Sequence, residues 1–166
     1  MECSALAGMS LVAPTQASEP ISIETASKCF AEAKSLCQTD HGQLWGVSLC
    51  GPIMFVDPQI RFIVANQADA KGVLKPDDGA FVGFLPADQN MANTALEWSG
   101  VHWTQMLWPL PEQSRERDTL IAHELFHRIQ DQLDLPKVKS ERECPIGYTR
   151  WALLHAIGVE STCNRS

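Results

Sequence analysis

Apolar residues recur along the chain with two different periods. From Ser22 a helical spacing runs through Ala26, Phe30, Ala33 and Leu36, with Ser22 placed to cap it and Gln38 to Gly42 (QTDHG) to end it. Trp45 to Val56 (WGVSLCGPIMFV) and Ile60 to Ala65 (IRFIVA) are apolar, β-branched runs separated by Asp57-Pro58-Gln59, which predicts two strands and a turn. Asn66 to Gly79 contains Gly72, Pro76, Asp77 and Asp78 and predicts a loop, and Ala80 to Leu85 predicts a third strand closed by Pro86. Asp88 to Thr94 is a polar connection. Val101 to Leu110 then alternates, with Val101, Trp103, Gln105 and Leu107 on one face and His102, Thr104, Met106 and Trp108 on the other, before Pro109 and Pro111 shut it off.

A second helical period begins at Ser114, the expected N-cap, with Glu116 and Asp118 near the positive end of the helix dipole. Pro136 restricts Leu135, so the helix is expected to stop around Leu133 or Asp134. At about 100° per residue, Ile121, Ala122, Leu125, Phe126, Ile129 and Leu133 form one apolar arc. Lys137 to Cys144 reads as a charged loop and Tyr148 to Val159 as a last helix. The fold class these elements imply is α+β, with a small mixed or antiparallel sheet, a long helix and a C-terminal helix. One domain spans residues 21–166 after a leader at 1–20.

Composition changes this picture in three places. A net charge of −7 without any Lys/Arg run argues against nucleic acid as a partner, and no apolar run reaches the length of an integral membrane segment. At the N-terminus, the apolar Ala5 to Ala13 followed by Pro14-Thr15-Gln16-Ala17 resembles a secretory signal and its cleavage site, although no Lys or Arg precedes Lys28. Export is the expectation, with a cytosolic tail as the alternative. Six cysteines (Cys3, Cys29, Cys37, Cys50, Cys144, Cys163) include no C-x-x-C pair, so a cysteine zinc site is not expected. Cys29 and Cys37 share a helix, where eight residues rise about 12 Å, too far to bridge one another. Disulfides elsewhere and buried free thiols are both open.

The chemistry concentrates in His123-Glu124-Leu125-Phe126-His127. With His123 taken as zero on the helix wheel, His127 falls near 40° and Glu124 near 100°, on the flank away from the apolar arc. Two neutral imidazoles so placed can share one zinc ion, which in catalytic sites keeps three protein ligands and an open position for water. Glu124 lies where it can take a proton from that water. Chance alone produces this pattern about once in a hundred such chains, and its place in a capped amphipathic helix directly after a strand raises its weight.

The order strand, short loop, H-E-x-x-H helix resembles the core of the zincin metallopeptidases. The resemblance covers residues 45 to 160, although only five residues of it are a specific motif. It implies that His123 and His127 bind Zn2+, that Glu124 is the general base, that the strand Val101 to Leu110 lines the cleft, and that the substrate is a peptide or protein. The metzincin branch would require Gly at 130 and His at 133, where this chain has Gln130 and Leu133. The gluzincin branch takes a downstream Glu, and the candidates are Glu141, Glu143 and Glu160; Glu143 is the choice, because a turn around Pro136 can return it to the site. Asp131 is placed to orient a ring rather than to bind metal, and Tyr148 is a candidate oxyanion partner. His41 reads as a turn residue, His102 as a polar strand residue and His155 as structural. Only 39 residues follow His127, which is short for a zincin C-terminal half. The alternatives are therefore a catalytically silent zincin-like metal-binding scaffold and a secreted, cysteine-stapled binding module.

Overall fold

A computed structural model describes residues 20–133 of the chain. The leader, the charged stretch from 137, the predicted C-terminal helix and Cys3, Cys144 and Cys163 lie outside the described residues. The described part is α+β, a six-stranded mixed sheet with two helices.

Helix α1 (Ile23–Asp40) starts where expected, with the Ser22 hydroxyl accepting from the Thr25 N–H. Its C-cap, His41, adopts the left-handed conformation at φ 49°, which ends the helix in a turn as the sequence predicts. The small buried residues Ala26, Cys29, Ala33 and Cys37 form its inner face. Phe30 stacks on Phe55 at 4.7 Å between ring centroids.

Of the long run from Trp45, only β1 (Ile53–Val56) is strand. Gly46, Gly51 and Pro52 break the stretch before it, and the chain turns there instead of extending. The remaining strands are β2 (Phe62–Ala65), β3 (Lys75–Asp77), β4 (Ala80–Phe84), β5 (Thr94–Trp98) and β6 (Val101–Leu107). The sheet order is β3-β4-β2-β1-β6-β5, antiparallel throughout except for the β1–β6 pair. Strand β3, one edge, falls in the stretch expected to be a loop, and β5, the other, begins where the polar connection was expected to end, at Thr94, over residues for which no element was expected. Each is created by a tight hairpin, Asp78-Gly79 between β3 and β4 and Ser99-Gly100 between β5 and β6, with positive φ at all four residues. Paired positive φ is the geometry that joins twisted antiparallel strands in two residues.

Both faces of the sheet are buried. On one, Phe55, Val64 and Met106 pack against α1 and helix α2 (Ser114–Ile129). On the other, Met54, Ile63 and Trp103 pack with Leu74, Leu85 and Trp98. Two side chains organise the connections that cover this second face. Arg61 donates to the carbonyls of Leu85, Pro86 and Gln89, and Asp69 accepts from the backbone of Lys71, Val73 and Leu74 and from the Ser99 hydroxyl.

Helix α2 begins one residue earlier than expected. Gln113, not Ser114, is the N-cap, and it makes no side-chain capping bond. The helix ends at Ile129, and one 3-10 turn over Gln130–Gln132 completes the expected length. The predicted apolar arc is the buried one: Ile121, Ala122, Leu125, Phe126 and Ile129 are all inside, and Leu133 packs against them. Arg117 ties α2 to α1 through a two-pronged pair with Glu32, at 2.7 and 3.0 Å. No helix among the described residues is long and apolar enough to cross a membrane.

Candidate metal centre

The alternation in β6 turns His102, Thr104 and Met106 toward the helices, while Trp103 packs on the opposite face. Helix α2 runs back over β6 and β5. His123 and His127 stand half-buried on its free flank, one turn apart. Their Nε2 atoms face each other at 2.9 Å, with the rings perpendicular. Two zinc–nitrogen bonds of about 2.0–2.1 Å at a tetrahedral angle hold their nitrogens about 3.3 Å apart. A small opening of the pair therefore suits a metal ion.

Protonation favours the same reading. Gln130 Oε1 lies 2.9 Å from His127 Nδ1 and accepts a hydrogen bond from its N–H, which leaves the His127 Nε2 lone pair to accept from His123 Nε2–H, the proton that a metal ion would replace. Burial, reinforced by the neighbouring His127, pushes the His123 imidazole down from its ordinary range and keeps that ring neutral. Gln130, considered in the sequence only as a position lacking glycine, thus takes the ring-orienting place expected of Asp131. Asp131 is exposed in the 3-10 turn. The available signal was spacing: a residue three positions after a helical His lies over the same face.

Glu124 is buried rather than open to a pocket, at 3% exposure. Its Oε2 is sealed from solvent and has no hydrogen-bond partner among the described residues. Burial pushes its carboxyl up to about 7, so near neutral pH it can both accept and return a proton. The Thr104 hydroxyl, on the β6 face turned toward the helices, is likewise buried without a partner.

His102 does more than the polar strand role expected of it. Its Nδ1 lies 3.0 Å from Glu97 Oε2, its cross-strand partner on β5, and its Nε2 lies 3.0 Å from the Arg128 carbonyl oxygen. Arg128 in turn donates to the Leu49 and Cys50 carbonyls at 3.0 and 2.9 Å. Cys50 is disulfide-bonded to Cys37, which settles the open question for that pair. Cys29 is a buried free thiol.

Among the described residues, no cluster of three His, Cys, Asp or Glu side chains gathers around the pair. Glu141, Glu143, Glu160, Tyr148 and His155 lie outside the described residues. A cavity of about 500 Å³ lies elsewhere, between α1 and the sheet, lined by Phe30, Lys34, Cys37, Ile53 and Leu125. Leu125 belongs to the apolar arc of α2, so this cavity is not the space in front of the imidazoles. Comparisons with protein families, with characterised proteins and with solved structures find no match to this chain.

Proposed function

We propose that this chain is a zinc-dependent metallopeptidase of the zincin type, in which His123 and His127 hold Zn2+, Glu124 is the general base and Glu143 supplies the third ligand. The observation that carries the reading is the convergence of the two Nε2 atoms at 2.9 Å on one flank of a packed helix. A rigid, buried platform keeps such ligands in place, because their rotamers do not have to be frozen on binding. Zinc held there would supply a Lewis acid that polarises a peptide carbonyl and acidifies water.

The chain's own residues account for the proton. Glu124, next to His123 in the chain but buried, takes it from the attacking water once that water reaches its carboxyl and returns it to the departing amine. Its apolar surroundings are what make this exchange feasible near neutrality. Gln130 holds His127 in the tautomer that leaves Nε2 bare for the metal. The six-stranded sheet and its β6-to-α2 connection are compatible with the zincin resemblance and supply its strand-before-helix order. Export is part of the proposal, supported by the Cys37–Cys50 disulfide, a bond typical of oxidising compartments.

The test is hydrolysis of a broad peptide library by the pure full-length chain loaded with zinc. The wild type is expected to cleave, and Glu124→Gln to retain zinc while losing about a hundredfold or more of the rate, as expected when a general base is removed. Undiminished hydrolysis by Glu124→Gln would overturn the mechanism.

A further inference from the structure

The last four carbonyls of an α-helix have no N–H of their own helix to accept from. In α2 these orphaned groups follow directly on His127, so whatever satisfies them also decides where that ring stands. The His127 carbonyl is taken by the Gln130 N–H in the 3-10 turn. The Arg128 carbonyl is taken by a side chain from a different element, His102 Nε2 at 3.0 Å. The same residue is gripped at its other end, where its guanidinium binds the Leu49 and Cys50 carbonyls just ahead of β1. Residue 128 is thereby tied both to β6 and to the segment that leads into β1, two neighbouring strands of the sheet.

We propose that His102 is a positioning residue for the His123/His127 pair, an imidazole C-cap reaching from β6 that fixes where α2 ends and so how His127 and Gln130 face each other. This rests on the reading of His123 and His127 as metal ligands. Three features select His102 for the role. Met106 and Thr104 on the same face are apolar or unpartnered. Glu97, opposite His102 in the β5–β6 register, holds the ring from behind through Nδ1. The bond to Arg128 falls one residue past His127 and two before Gln130, inside the segment whose geometry sets the His127–Gln130 contact of 2.9 Å. If the cap is lost, the Arg128 carbonyl must find water, and the 3-10 turn carrying Gln130 is free to shift. A ligand set that drifts by a fraction of an ångström loses affinity even while the fold survives.

The experiment titrates the metal-free, full-length chain with Co2+ and follows the visible d–d bands, whose position and intensity report coordination geometry. Circular dichroism and tryptophan fluorescence are recorded beside it to establish that each variant is folded. His102→Ala is expected to bind cobalt about tenfold more weakly, with altered bands, in line with the loss on removing a group that orients a metal ligand. His102→Gln, whose amide can donate to the same carbonyl, is expected to recover most of the affinity. A folded His102→Ala with wild-type affinity and wild-type bands would overturn the positioning role and leave the metal reading standing. A wild-type chain that takes up no cobalt would overturn both. Should His102→Ala fail to fold, Glu97→Ala at its exposed position carries the test. Cobalt binding a few-fold weaker than wild type is then the supporting result, and unchanged binding the contrary one.

Discussion

The guanidinium of Arg128 occupies the space where a side chain on Gly51 would stand. Gly51 is required for room rather than for an unusual backbone angle, since a Cβ there would overlap Arg128 Cζ. Gly51→Ala is therefore expected to push the guanidinium aside and weaken its bonds to the Leu49 and Cys50 carbonyls, at a cost of about 1 kcal/mol. In an Arg128→Ala background the same substitution should cost much less. Urea unfolding of the four proteins of this cycle measures the coupling, and strictly additive costs would contradict the contact.

Asp69 gives the fold its clearest acid dependence. Burial by itself would raise its carboxyl, but the Ser99 hydroxyl and the backbone N–H groups of Val73, Leu74 and Lys71 outweigh that and hold it well below the ordinary carboxylate range. In the unfolded chain the group protonates near the ordinary value of about 3.9. The ionised form is thus favoured by folding, and its contribution is fully present above pH 4 or so and lost as the pH falls below it. Asp69→Asn should be about 2 kcal/mol less stable than wild type at pH 7, with the gap closing toward pH 3. Unfolding midpoints at the two pH values decide the matter; a gap of constant size would show that Asp69 is not held as an anion.

The Cys37–Cys50 bridge joins the end of α1 to the segment whose carbonyls Arg128 grips. Closing a loop of 13 residues' separation restricts the unfolded chain by about 3 kcal/mol on the chain-entropy account. Cys37→Ser combined with Cys50→Ser is expected to lower stability by that amount. Cys29, buried and with its thiol pushed up chiefly by burial, should resist alkylation in the native protein. Urea unfolding of the double variant checks the first statement and mass spectrometry after alkylation without reductant the second, and label on Cys37 or Cys50 would refute the bridge.

Helix α2 was legible because its signals are local. A 3.6-residue apolar period and two imidazoles four apart determine which flank is buried and which carries chemistry, whatever surrounds the helix. Its exact end was not legible, because the Arg128 carbonyl is satisfied by His102 from a strand 26 residues earlier. Strands β3 and β5 escaped notice for a related reason. Lys75-Pro76-Asp77 has no apolar face, and Thr94 to Trp98 does not alternate cleanly; pairing with β4 and β6 makes them strands. The dipeptides Asp78-Gly79 and Ser99-Gly100 were the local signal for both hairpins. The burial of Glu124 was hidden in the same way, since the helix wheel locates a flank but not what the rest of the chain lays over it.

The central claim is that His123 and His127 are metal ligands, and zinc content is its most direct measure. The pure full-length chain, incubated with zinc and dialysed against metal-free buffer, is predicted to retain one zinc ion per chain, and His123→Ala and His127→Ala to retain none. A wild-type chain that emerges without zinc, or alanine variants that hold as much as the wild type, would contradict it.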